Sequence, residues 1–151
     1  MSNQSVIRLS KALEVNFKDP DLLIRALTHR SAVKNHNERL EFLGDAVLNL
    51  VIARALYRLH DDWNEGYLSR ARSALVNRDT LTELAGQLKL SDHIVVGPGE
   101  PQNGAYSRSS VLSDALEAVL GAIYLDQGID VVTTVIERLW QDKLSAVVAI
   151  E

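Results

Sequence analysis

Five carboxylates carry the first chemical signal in this 151-residue sequence. At about 100° per residue, Glu38, Glu41 and Asp45 fall within an arc of roughly 60° on one face of a helix. Asp114 and Glu117 stand three apart in a second apolar segment, Val111 to Leu125, and are its only charges. On an ordinary amphipathic helix an acidic stripe is a solvated face. The first segment is instead apolar nearly all round. Phe42, Ala46, Leu48, Ile52 and Ala53 flank its acids, and Leu40, Leu43, Val47, Leu50 and Val51 lie opposite. Carboxylates at 41 and 45 are costly there unless something cationic meets them. If the two helices pack with their acids converging, repulsion either raises the pKa values or calls for a divalent metal. Oxygen ligands with no His or Cys beside them suit Mg²⁺, with Mn²⁺ as substitute, better than zinc. Carboxylate clusters of this kind serve phosphoryl chemistry. Spacing alone leaves isolated ion pairs or helix caps equally open.

The elements that position these acids read as helices. Three prolines and eight glycines punctuate the chain, and the apolar residues between them recur at steps of three and four, so the expected fold is all-α. Asp19 and Pro20 look like an N-cap and first helical position. A second start at Asn37 opens a long helix from Glu38 to about His60, followed by a polar break from Asp61 to Gly66. Tyr67 to Leu90 is helical with an interruption near Asn77 to Asp79. Gly97 to Ser110, GPGEPQNGAYSRSS, is the one long loop. Ser110 then caps Val111 to Leu125, and beyond Gly128 a last helix reaches towards Ala149.

Composition narrows the classes. The length fits one domain, 1–151, and 46% hydrophobic residues suffice for its core. A net charge of −4 advertises no nucleic-acid partner by global electrostatics. With no cysteine, disulfides and thiolate chemistry are excluded, which fits a cytoplasmic setting. The N-terminus lacks the apolar stretch of an export signal, and charges interrupt Leu40 to Leu59 throughout, so no membrane span is expected. His29, His36, His60 and His93 have no metal-ligand spacing and read as structural, His29 as support for helix packing. Gly97 and Gly99 read as a turn. Trp63, Trp140, Tyr57 and Tyr124 read as core or interface residues rather than a stacking platform.

At this point the residues carry a resemblance. Asn37 to Leu48, NERLEFLGDAVL, resembles the signature motif of the ribonuclease III family. EGYLSRARSALVNRDTLTELA (Glu65 to Ala85) and SVLSDALEAVLGAIYLDQG (Ser110 to Gly128) resemble its other two blocks in the same order, and LTHRSA (Leu27 to Ala32) fits as well. The likeness, to the catalytic domain of the bacterial enzymes, runs from about Val6 to Trp140. It implies an all-helical homodimer that cuts double-stranded RNA, leaving 5′-phosphate and 3′-hydroxyl ends with short 3′ overhangs, in the processing of ribosomal and messenger RNA. It also implies that Glu41, Asp45, Asp114 and Glu117 form the Mg²⁺ site, with Asp45 and Glu117 most directly required, and that Glu38 and Glu65 are auxiliary catalytic acids. Glu65 is supplied by the resemblance alone.

Phe42 lies beside the acidic stripe on the helix that the family uses for dimerisation, so its packing against a partner subunit is expected. Ala105 and Ser107 depart from the family's usual glycine and basic residue, which implies a weaker phosphate grip there, while Arg108, Arg70, Arg72 and Arg78 are candidates for phosphate contact. Bacterial members continue into a double-stranded-RNA-binding domain, which this chain is expected to lack, as a fragment or a reduced protein. Two rival functions are an all-α Mg²⁺-dependent nucleotide pyrophosphatase, which needs a closed pocket with base-recognising groups, and a non-cleaving RNA-binding protein, which has no need of six acids.

Overall fold

The computed structural model describes residues 3–32, 34–98 and 109–148. They form eight α-helices: α1 (Asn3–Leu13), α2 (Pro20–Ala26), α3 (Glu38–Leu59), α4 (Glu65–Leu75), α5 (Arg78–Gln87), α6 (Ser109–Gln127), α7 (Ile129–Leu139) and α8 (Gln141–Ala146). A short 3-10 turn spans Leu90–Asp92. Among the described residues there is no strand, only an isolated bridge between Thr28 and Val95, so the all-α expectation holds. No helix of these residues is long and apolar enough to cross a membrane.

Helix α6 is the axle of the fold. Leu112, Ala115, Leu116, Val119, Leu120 and Ile123 are buried, and the neighbouring helices α2, α3, α5 and α7 pack around it. Leu48 and Ile52 of α3 are fully buried alongside Leu116 and Leu120. Truncating one such side chain to Ala costs about 2–5 kcal/mol, because the surrounding helices cannot fully collapse into the hole.

Side-chain caps set several of the helix starts. The Asp19 carboxylate accepts from the Asp21 amide at 3.1 Å, with Pro20 at the first helical position. Asn64 accepts from the Tyr67 amide at 2.9 Å, so α4 begins at Glu65 and the polar break is shorter than composition suggests. Asn77 accepts from the Thr80 amide at 2.9 Å and donates to the Ser73 carbonyl at 3.0 Å, ending α4 and starting α5 with one side chain. That is the expected interruption.

The start expected at Asn37 is met: Asn37 occupies the N-cap position of α3, and its buried side chain donates to the Ala26 carbonyl at 3.1 Å, fastening α3 to the end of α2. The structure corrects other expectations. Ser110 lies inside α6, which starts at Ser109, and so is not its cap. Gly128, at φ +90°, makes the sharp turn into α7. The last helix divides at Trp140, whose fully buried indole donates to the Leu75 carbonyl at 2.8 Å. The polar N-terminus forms α1, whose Leu9 and Leu13 enter the core. The His29 ring engages the loop after α2, its Nδ1 2.8 Å from the Ser31 hydroxyl, and the His29 amide donates to the Val95 carbonyl at 2.8 Å. Trp63 stacks on His60 at 3.6 Å, and Tyr57 is exposed. Gly99, Ala105, Ser107 and Arg108 fall outside the described residues.

Candidate functional site

Backbone contact between α3 and α6 builds the site. A methyl group on Gly44 would stand 1.6 Å from the carbonyl oxygen of Glu117, and one on Gly121 would stand 2.4 Å from that of Leu40. Both distances are far inside van der Waals contact, so only glycine lets the helices approach this closely. Gly44 sits between Glu41 and Asp45, and Gly121 lies one turn beyond Glu117. The closest approach of the helices is therefore where the two acid pairs face each other.

Carboxylate oxygens of Glu41, Asp114 and Glu117 lie within 4.8 Å of one another. Glu117 is buried, while Glu41 and Asp114 are half-buried. Asp45 is exposed and stands at the edge, close enough to share a hydrogen bond with Glu117. An open cleft of about 460 Å³ is lined by Arg30, Glu38, Glu41, Phe42, Asp45, Asp114 and Glu117. Five of the six acids singled out in the sequence thus meet at one cleft. Glu65 does not line it; it is exposed in the first turn of α4 and accepts from the Ser69 hydroxyl at 3.1 Å.

Burial and mutual repulsion raise these pKa values. Desolvation, then a hydrogen bond and charge from Asp45 with further repulsion from Glu41 and Asp114, pushes Glu117 up to about 9. Desolvation and Asp114 push Glu41 up to about 7. Asp114 is also raised by burial, although a hydrogen bond with Glu41 and the charges of Arg78, Arg30 and His29 oppose the rise. A cluster that must hold protons to coexist at neutral pH is one that a divalent cation would complete. The donor set is oxygen only, which fits Mg²⁺ or Mn²⁺.

Arg30 brings a positive charge to the edge of these acids: its Nη1 lies 3.4 Å from Glu38 Oε1, and its charge reaches Asp114. Arg30 and the two glycines are the functional residues that sequence reasoning passed over. Gly44 had a signal, a glycine inside a run of strong helix formers; Arg30 had only its place in LTHRSA.

Beside the acids lies a second cleft of about 640 Å³, lined by Arg25, Glu38, Arg39, Leu40, Phe42, Leu43 and Leu125. Phe42 is 81% exposed and borders both clefts. Leu50, expected on the buried face, is 58% exposed instead. With Phe42, Ala46 and Tyr57 it makes an open apolar stripe down one side of α3.

A family model described as Ribonuclease-III-like matches residues 19–144. The chain is similar to Ribonuclease 3 of Shewanella baltica, with 46% identity over 93% of this chain and 62% of the relative. It thus spans about three-fifths of the length of the curated relatives it matches. In structure it resembles the nuclease domain of ribonuclease III from Campylobacter jejuni at TM-score 0.89 and 43% identity, over 98% of this chain and 100% of that domain. A second structure of that nuclease domain, concerned with flexibility in a region involved in dimer formation, gives TM-score 0.86 and 46% identity, over 89% of this chain and 95% of that one.

Proposed function

This chain belongs to the ribonuclease III family, in the nuclease domain of bacterial type, and from that premise we propose that residues 1–151 act as one divalent-metal-dependent endonuclease domain that cuts double-stranded RNA. The observation that carries the reading is the convergence of Glu41, Asp114 and Glu117 with Asp45 beside them in an open cleft. Mg²⁺ is the proposed ion, with Mn²⁺ as its substitute. A divalent ion held there supplies positive charge for the phosphate and for a hydrolytic water.

The chain's own residues prepare that chemistry. Glu117 and Glu41, whose burial favours the protonated form, would give up those protons to hold the ion as anionic ligands. Asp45, exposed and next to Glu117, is placed to orient the attacking water and accept its proton. Hydrolysis adds that water across the phosphodiester, and the 3′-oxygen departs with a proton, leaving 5′-phosphate and 3′-hydroxyl ends. Glu38 lines the same cleft and is proposed as an auxiliary acid. For Glu65 the support is its motif alone. Processing of ribosomal and messenger RNA is the proposed setting.

The homodimer is likewise a proposal, supported by the open apolar stripe of Phe42, Leu50 and Tyr57. Two active sites in one dimer would cut the two strands and give staggered ends. Family membership leaves the pyrophosphatase reading without support. The non-cleaving reading is decided by assay. The purified chain is incubated with a long RNA duplex at low salt, in Mg²⁺, beside an EDTA control and Glu117→Gln, and the product ends are mapped. Metal-dependent cuts with 5′-phosphates and 3′ overhangs, lost in the variant, are expected. Duplex binding without cleavage, or equal cleavage by Glu117→Gln, contradicts the proposal.

A further inference from the structure

Among the described residues, Arg30 is the basic side chain that lines the acidic cleft. Its backbone is held from both sides. The His29 amide donates to the Val95 carbonyl at 2.8 Å, and the Ser31 hydroxyl accepts from the Gly97 amide at 2.9 Å. His29 Nδ1 lies 2.8 Å from that same hydroxyl, and the Ala32 amide closes the turn on the His29 carbonyl at 2.9 Å. Gly97 presses so closely that a methyl group on it would stand 1.9 Å from the Ser31 carbonyl oxygen. The residue is therefore mounted on a rigid turn, yet its side chain is 69% exposed.

Among the described residues its ion pair is a weak one. Arg30 meets Glu38 through one nitrogen at 3.4 Å, longer than the 2.7–2.9 Å of a strong charge-assisted bond, and both groups are more than half exposed. Such a pair contributes little to stability and exchanges easily for a better anion. A planar guanidinium offers two parallel N–H donors to the non-bridging oxygens of a phosphate, and among the described residues one nitrogen is engaged, with Glu38. Arg30 also acts on the acids, its charge opposing the rise of Asp114. A rigidly placed, loosely paired guanidinium above an acid floor has the chemistry of an anion clamp.

We propose that Arg30 binds a backbone phosphate of the RNA strand entering the cleft, exchanging Glu38 for that phosphate and holding the strand over the carboxylates. The inference rests on the duplex-cutting reading and adds to it a specific RNA-contacting residue.

The test uses the Glu117→Gln chain, which leaves the duplex uncut, and adds Arg30→Ala, Arg30→Lys or Arg58→Ala. Arg58 carries the same charge at the far end of α3, about 25 Å from Glu41 at 1.5 Å per residue. Binding of a fluorescent RNA duplex is followed by anisotropy across a series of KCl concentrations in Mg²⁺. Arg30→Ala should weaken binding by about tenfold and lower the salt slope by about one, as loss of one phosphate contact does. Arg30→Lys should keep the slope and recover part of the affinity. Arg58→Ala should change neither beyond a small uniform shift. Thermal melting of each variant should match the parent, since Arg30 is exposed; a merely structural role would move the melt and leave the salt slope alone. Equal affinity and slope for Arg30→Ala and Arg58→Ala overturn the inference while leaving the nuclease reading intact. If the Glu117→Gln chain fails to bind duplex at any salt and the wild type fails to cut it, both fall.

Discussion

Glu117 and Glu41 are carboxyl groups whose environment favours the neutral form, with values near 9 and 7 against an ordinary 4.5. Two consequences follow at the scale of single residues. Between 4.5 and these raised values the folded chain binds more protons than the unfolded chain, so stability falls as pH rises. The contribution is fully present below about 4.5 and is lost as pH passes through 7 and then 9. In metal-free buffer, Glu117→Gln should therefore melt close to wild type at pH near 4.5 and progressively higher than wild type towards pH 9; a difference independent of pH contradicts the assignment. Loading a divalent ion must expel the same protons. Calorimetric Mn²⁺ titrations near pH 7 should give apparent enthalpies that differ between buffers of different ionisation enthalpy, by an amount that shrinks in Glu117→Gln. That variant should also lose more than the roughly 10–100-fold in metal affinity that removing an outer partner of a ligand costs.

At the scale of elements, the site depends on how closely two helices approach. Gly44→Ala places a methyl group against the Glu117 backbone and must push α3 away from α6. Overpacking of this kind costs about 1–3 kcal/mol, and the displacement also pulls the acid pairs apart. Gly86, in the last turn of α5, meets nothing within 4 Å; Gly86→Ala should be neutral or add about 0.5–1 kcal/mol through the unfolded chain. Thermal denaturation and Mn²⁺ affinity measured on both variants separate the two cases. The contrast also marks what was legible beforehand. The three- and four-residue recurrence revealed α2 to α6 and the helix beyond Gly128, and the arc of Glu38, Glu41 and Asp45 was readable from 3.6-residue periodicity because it is local. The helix–helix crossing is tertiary, so nothing in the spacing of Gly44 and Gly121 said that they touch opposite backbones. Ser110 is expected as a cap but falls inside α6, which begins one residue earlier, and the start at Asn37 is met although the Asn37 amide bonds to Ala26 rather than to its own helix. The polar sequence of α1 concealed Leu9 and Leu13, two buried residues in an otherwise solvated stretch.

At the scale of the whole molecule, α3 buries one face in the core and leaves Phe42, Leu50 and Tyr57 open, 81%, 58% and 74% exposed. A row of large apolar side chains beside an open cleft of about 640 Å³ calls for a covering surface. In the proposed homodimer, Phe42→Ala should shift sedimentation towards monomer; an unchanged dimer removes Phe42 from the interface. Both clefts share Glu38 and Phe42, so the covering surface and the acid floor are neighbours on one side of the chain. That arrangement suits a substrate wide enough to cross a subunit boundary, such as an RNA duplex. The proposed chemistry requires first that the acid cluster hold a metal. Anomalous diffraction from a crystal of the chain soaked in Mn²⁺ addresses this directly. It should give a strong peak bounded by Glu41, Asp114 and Glu117, with Asp45 at its edge; Mn²⁺ scattering elsewhere, with none among these carboxylates, would contradict the account.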